Sequence, residues 1–176
     1  MTFRDFPRFD ETTAPASARE PLAQSKRAFG AIPEPLTRYA SSPLMLGAAL
    51  HALETFEKSS LGPLEREVLA MTMGRANDCQ LCLDLHRRLL KARRVPADLI
   101  TALEAGAPLP ARLQALRQFI HAALDSHGNV PRAAWLEFRE AGFSHQQALD
   151  VVLGISTYTL TTFANRLTET SERRAP

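Results

Sequence analysis

The sequence predicts an all-α fold, and three observations carry that expectation. Apolar residues recur at spacings of three and four along nearly every segment, as helices with a buried face require. No alternating apolar–polar run of useful length occurs, so no half-buried strand is expected. Pro43, Pro63 and Pro96 fall at expected helix starts, while Gly30, Gly106 and Gly142 fall at expected stops.

A loose, flexible arm over residues 1–16 comes first, and residues 17–176 are expected to form one helical domain. "SAREPLAQSKRAF" reads as the first helix, closed by Gly30 and the breaker run "AIPEP". A short helix within "PEPLTRYASSP" should stop before Pro43. "SPLMLGAALHALETFEKS" follows, with Ser42 as N-cap and Pro43 at the first helical position, where its missing N–H costs nothing. Gly62-Pro63 opens "PLEREVLAMTMGRAN", in which Leu64, Val68, Met71 and Arg75 share one side. Asn77 and Asp78 are poor interior helix residues and good caps, so a break is expected there. The next helix should run from Cys79 to about Arg93. "VPADLITALEAG" is a compact helix started near Pro96 and stopped by Gly106. "LPARLQALRQFIHAALDSHG" is long and amphipathic, its buried stripe marked by Leu113, Leu116, Phe119, Ile120 and Ala123. "VPRAAWLEFREAGFS" ends at Gly142. The last helix, from Ser144 to about Thr170, is apolar over most of its circumference. A helix of that kind needs neighbours on several sides, from the domain core or from another subunit.

The chain has 176 residues, enough for a single domain that buries about two-thirds of its unfolded surface. A hydrophobic content of 45% excludes a disordered chain. No stretch approaches the roughly 18 unbroken apolar residues of a membrane span, and the polar N-terminus lacks the apolar core of a signal peptide. A cytoplasmic protein is therefore the expectation. The net charge of +2 is spread along the chain. Its densest basic run, "HRRLLKARR", reads as a solvated helix face, because neither aromatic interleaving nor a nucleic-acid-binding module accompanies it.

Both cysteines lie in "GRANDCQLCLDLH". In a reducing compartment such a pair points to catalysis, redox sensing or metal binding rather than to a structural staple. At about 100° per residue, Cys79, Cys82 and His86 fall within roughly 60° on one helix face. If Asn77 or Asp78 caps that helix, Cys79 lies in its first turn, where the macrodipole favours a thiolate. Cys82 and His86 stand one turn apart, where an imidazole can take the thiol proton. The two effects single out different sulfurs, and spacing does not decide which one attacks. An imidazole is a better base when a carboxylate holds its other nitrogen. Glu67, on the flank of the preceding buried stripe, suits that role; Glu65, on another face, reads as solvated. Asp84 points about 160° away from His86.

Other readings of the motif fare worse. A zinc site would need three ligands from one helix plus Glu67, with no second cysteine pair. Haem attachment wants the histidine directly after the second cysteine, and Leu83, Asp84 and Leu85 intervene. Free thiols are commonly buried as packing, but the shared face with His86 favours chemistry. His121 reads as a core or subunit-contact histidine, and His51, His127 and His145 as surface or loop positions. Met71, Met73, Trp135 and Phe163 read as packing residues.

The stretch "LGPLEREVLAMTMGRANDCQLCLDLHRRLL" resembles the core of the alkyl hydroperoxidase D and carboxymuconolactone decarboxylase-like family. That core is a Glu, eleven intervening residues, then Cys-x-x-Cys-x-x-x-His, matched here by Glu67, Cys79, Cys82 and His86. Further agreement in "IPEPLTRYASSPLML" and "AGFSHQQALDVVLGISTYTLTTFANRL" extends the resemblance over about residues 30 to 170. It implies an all-helical, cofactor-free enzyme assembled into trimers or hexamers, with the active site near a subunit contact. The implied reaction is that of a hydroperoxide-reducing peroxidase or disulfide reductase. Cys82 would be oxidised to a sulfenic acid, Cys79 would resolve it to a disulfide, and Glu67 and His86 would form the proton relay. A lipoyl-bearing protein or another thiol reductant is the implied electron donor. Some members carry a His or an aromatic residue immediately before the second cysteine, where this chain has Leu81; a weaker or differently tuned peroxidase is the consequence expected. The decarboxylase branch lacks the cysteine pair. Two alternatives remain at this stage: acid–base chemistry of His86 and Glu67 on a small carboxylate as a lyase or isomerase, and a non-enzymatic redox- or zinc-sensing oligomeric module.

Overall fold

The computed structural model describes residues 6–168, and these contain nine α-helices and no strand. They are α1 (Ala16–Phe29), α2 (Glu34–Tyr39), α3 (Pro43–Glu57), α4 (Pro63–Ala76) and α5 (Gln80–Ala92). The remainder are α6 (Ala97–Ala105), α7 (Ala111–Asp125), α8 (Arg132–Glu140) and α9 (His145–Thr168). The all-α expectation holds, and Pro43 and Pro63 each open a helix. Gly30 and Gly106 end α1 and α6 in the left-handed conformation, with φ of 78° and 70°, and the Ser42 hydroxyl accepts from the Met45 N–H at 3.3 Å. The first five residues of the expected arm and the expected end of the last helix near Thr170 lie outside the described residues. No helix among the described residues is long and apolar enough to cross a membrane.

The described residues divide into two compact units, residues 6–54 with 163–168, and residues 55–162. In the first, Ala18, Leu22, Leu36, Leu46 and Ala49 are buried. Arg38, also buried, pairs with Glu34 at 2.8 Å and donates to the Thr168 carbonyl.

The second unit holds the cysteines and is organised around α4, which packs against α5, α6 and α7. Sequence spacing assigns α4 one buried side, yet every residue from Glu67 to Gly74 is buried. A helix covered all round carries no amphipathic signal, which is why spacing underestimates it. A Cβ at Gly154 of α9 would stand 2.6 Å from both Leu69 Cδ1 and Phe56 Cε2, so a larger residue there would have to push these two side chains aside.

Three further expectations are corrected. Of the two readings of His121, core or subunit contact, the core one is overturned: the residue is exposed, because its position on α7 faces away from the Leu113–Leu116–Ile120 stripe. Phe163 is exposed rather than packed. Glu65 is not solvated: it accepts from the Gly62 N–H at 2.8 Å at the start of α4 and from Arg112 Nε at 2.9 Å.

Candidate active site

The turn between α4 and α5 sets the position of the thiols. Asn77 closes α4, and its side-chain amide donates to Thr162 Oγ1 on α9 at 2.8 Å. Asp78 then turns left-handed, with φ of 49°, a conformation that Asp tolerates better than most residues. The Cys79 N–H returns to the Gly74 carbonyl at 2.8 Å. As a result α5 starts one residue later than the spacing suggests. Cys79 is itself the N-cap residue, and Cys82 is the third residue of the helix.

That shift matters chemically. The sequence assigns the helix-terminus effect to Cys79 and the imidazole to Cys82. In the structure the first turn contains Cys82, so the positive end of the helix and the base one turn on act on the same sulfur. Cys79 and Cys82 are buried and stand at disulfide distance, with Cα atoms 5.3 Å apart.

His86 lies one turn beyond Cys82 on α5 and is only 7% exposed. Its Nδ1 meets Glu67 Oε2 of α4 at 2.7 Å, and Glu67 is 4% exposed. A carboxylate oxygen accepts, so the imidazole proton sits on Nδ1 and Nε2 is left as the basic atom. The other oxygen of Glu67 accepts from Arg93 Nη1 at 2.8 Å. Tyr158 of α9 packs its ring edge-on to His86, with centroids 5.4 Å apart, and stacks similarly on Phe56. Burial, and then the negative charges of Glu67 and Glu57, push the Tyr158 phenol well above the ordinary tyrosine range, so it stays neutral.

All four residues singled out by the motif therefore lie together: Cys79 and Cys82 as a pair, and His86 on Glu67. Two neighbours escape sequence reasoning. Arg93 sits seven residues after His86, two turns along the same face, and that spacing was the available signal. Its run is not simply a solvated face, since Arg87 also pairs, with Asp84 at 2.9 Å and with Glu104. Tyr158 carries no local signal. Among the described residues no group of three or more His, Cys, Asp or Glu side chains is arranged to hold a metal.

The sequence model of the carboxymuconolactone decarboxylase family matches residues 44–125, which span Glu67, both cysteines and His86. The chain is similar to this family over that stretch. Its fold recurs in a structure from Ralstonia eutropha JMP134 described as an alkylhydroperoxidase AhpD core, an uncharacterized peroxidase-related protein. The two share 20% identity and a TM-score of 0.78, over 90% of this chain and 86% of that one. A second uncharacterized peroxidase-related protein, from Silicibacter sp. TM1040, matches at 22% identity and a TM-score of 0.78, over 98% of this chain and 93% of the other. At these identities the likeness speaks for the fold alone. No curated protein matches the sequence.

Proposed function

We propose that this protein is a thiol-dependent peroxidase. The observation that carries the reading is the cysteine pair at the start of α5, with the second cysteine in the first helical turn and one turn from a histidine held by a buried glutamate. The similarity to proteins described as peroxidase-related agrees with it.

In the reduced protein, His86 Nε2 takes the Cys82 thiol proton. The thiolate attacks the distal oxygen of a hydroperoxide and the O–O bond breaks. Cys82 becomes a sulfenic acid, and the departing alkoxide takes a proton from the His86 imidazolium to leave as an alcohol. The Cys79 thiol then displaces the hydroxyl as water, closing the Cys79–Cys82 disulfide. A dithiol reductant, such as the lipoyl group of a partner protein, restores the thiols. Glu67 fixes the imidazole tautomer and offsets the charge it gains. No metal or organic cofactor enters this cycle.

The same reading includes self-association as a trimer or hexamer in the cytoplasm. Leu149 and Val152 support it, exposed at 72% and 49% on α9.

The test is a single turnover. Fully reduced protein is mixed with an organic hydroperoxide, free thiols are counted against time, and the product is mapped by mass spectrometry. Rapid loss of both thiols into a Cys79–Cys82 bond is expected, with no reaction in Cys82→Ser. Thiols that persist for hours in the presence of peroxide, or a Cys82→Ser protein that still consumes it, would overturn the proposal.

A further inference from the structure

Glu67 is shared. One oxygen faces His86 Nδ1 at 2.7 Å, and the other faces Arg93 Nη1 at 2.8 Å. A buried carboxylate against a lone imidazole tends to hold that imidazole protonated, because the ion pair is the natural way to keep the carboxylate charged. An imidazole already carrying its second proton cannot accept one from a thiol. A second cation on the same carboxylate balances part of its charge and weakens the pull that it exerts on the imidazole proton.

The other groups around the pair do not supply that cation. Arg66 of α4 is committed to Glu57 at the end of α3, at 3.3 Å, and to the Leu61 carbonyl at 2.6 Å. Tyr158 of α9 stays neutral. Arg87 of α5 is bound to Asp84 and Glu104. Among the described residues Arg93 alone bridges to Glu67 from a guanidinium, from the residue that closes α5, with its side chain 41% exposed.

We propose that Arg93 is the third member of the relay, a positioning residue that holds Glu67 as an anion so that the Cys82–His86 unit gives up its proton more readily. The inference rests on the reading of Cys82 as the attacking sulfur and His86 as its base. The sign does not depend on which member of the coupled unit loses the proton first. Removing a neighbouring positive charge makes either loss harder.

The experiment measures Cys82 alkylation by iodoacetamide in the reduced protein across pH, with the modified cysteine located by mass spectrometry. Iodoacetamide is not a peroxide, so the readout stands apart from the peroxidase proposal. A protein inert to peroxide would sink that proposal and leave this measurement intact. Arg93→Gln and Arg93→Met are expected to move the acidic limb to higher pH, slowing alkylation about tenfold at a fixed pH on the limb. The high-pH plateau is expected to be unchanged, and Arg93→Lys to recover most of the loss. Arg93 closes a helix and is not in the core, so both neutral variants should fold. Superimposable profiles would overturn the proposal. So would a plateau that falls with the limb unmoved, because that is the result of a merely structural tether.

Discussion

Two buried clusters in the same unit are built on opposite principles. Between α7, α8 and the turn into α9, Phe119, Phe138 and Phe143 form a continuous stack, with centroids 4.1 Å and 4.4 Å apart. Between α4 and α5, Glu67 and His86 are as well buried, but each polar atom in the chain of contacts answers another: Arg93 to Glu67, and Glu67 to His86. The aromatic cluster is held by area and shape, so its energy is large and its members are separately replaceable. The polar cluster contributes little net stability, because desolvation offsets most of its attraction. Its value lies in fixing which atom is a base. The two clusters should therefore fail in different observables.

The largest effect on stability is expected at Phe138, which is fully buried between two rings. Phe138→Ala removes both stacking contacts and leaves a cavity, at a cost of about 3–5 kcal/mol. Chemical denaturation should show the loss, while the alkylation rate of Cys82 in the fraction that stays folded should match the parent. A change in that rate would mean that the two clusters are mechanically coupled.

Glu67→Gln makes the converse test. The amide is nearly isosteric, so packing is kept, but Gln cannot offset an imidazolium charge. Peroxide-driven thiol loss should slow by roughly a hundredfold, with only a modest shift in the denaturation midpoint. A large loss of stability with unchanged thiol chemistry would reverse the roles assigned to the two clusters.

The difference between the clusters also explains what could be read from the sequence. Helix limits were legible wherever a local residue decides them, such as Pro43, Gly30 and Gly106, because capping and left-handed turns are properties of a few adjacent residues. The inner stripe of α7 was legible for the same reason. The start of α5 was misjudged by one residue because Asp78 adopts a left-handed turn that tertiary contacts hold, among them the Asn77 bond to Thr162. That single residue makes Cys79 the N-cap rather than the first residue of the helix. Glu67, Cys79, Cys82 and His86 lie near one another because their spacing is carried by two helices and one turn. Arg93 was concealed inside a run of charges that resembles a solvated face. Tyr158 reaches His86 only through the packing of α9, which no local pattern encodes.

Tyr158 gives the smallest expected effect and the sharpest distinction between ring and hydroxyl. Its ring packs edge-on to the imidazole, whereas its phenol is neutral throughout the working range. Tyr158→Phe keeps the ring, so Cys82 alkylation should change by less than about threefold, with no displacement of the pH profile; a neutral group that does not titrate cannot set a limb. A displaced profile would make the hydroxyl part of the relay. The same substitution has a second signature at alkaline pH. The folded phenol holds its proton above the value of about 10 that it has in the unfolded chain. Its contribution is therefore complete below that pH and is lost as pH rises, when only the unfolded chain can release the proton. Tyr158→Phe should flatten part of that alkaline decline in the denaturation midpoint. Tyr39, whose phenol burial also raises, should account for the decline that remains.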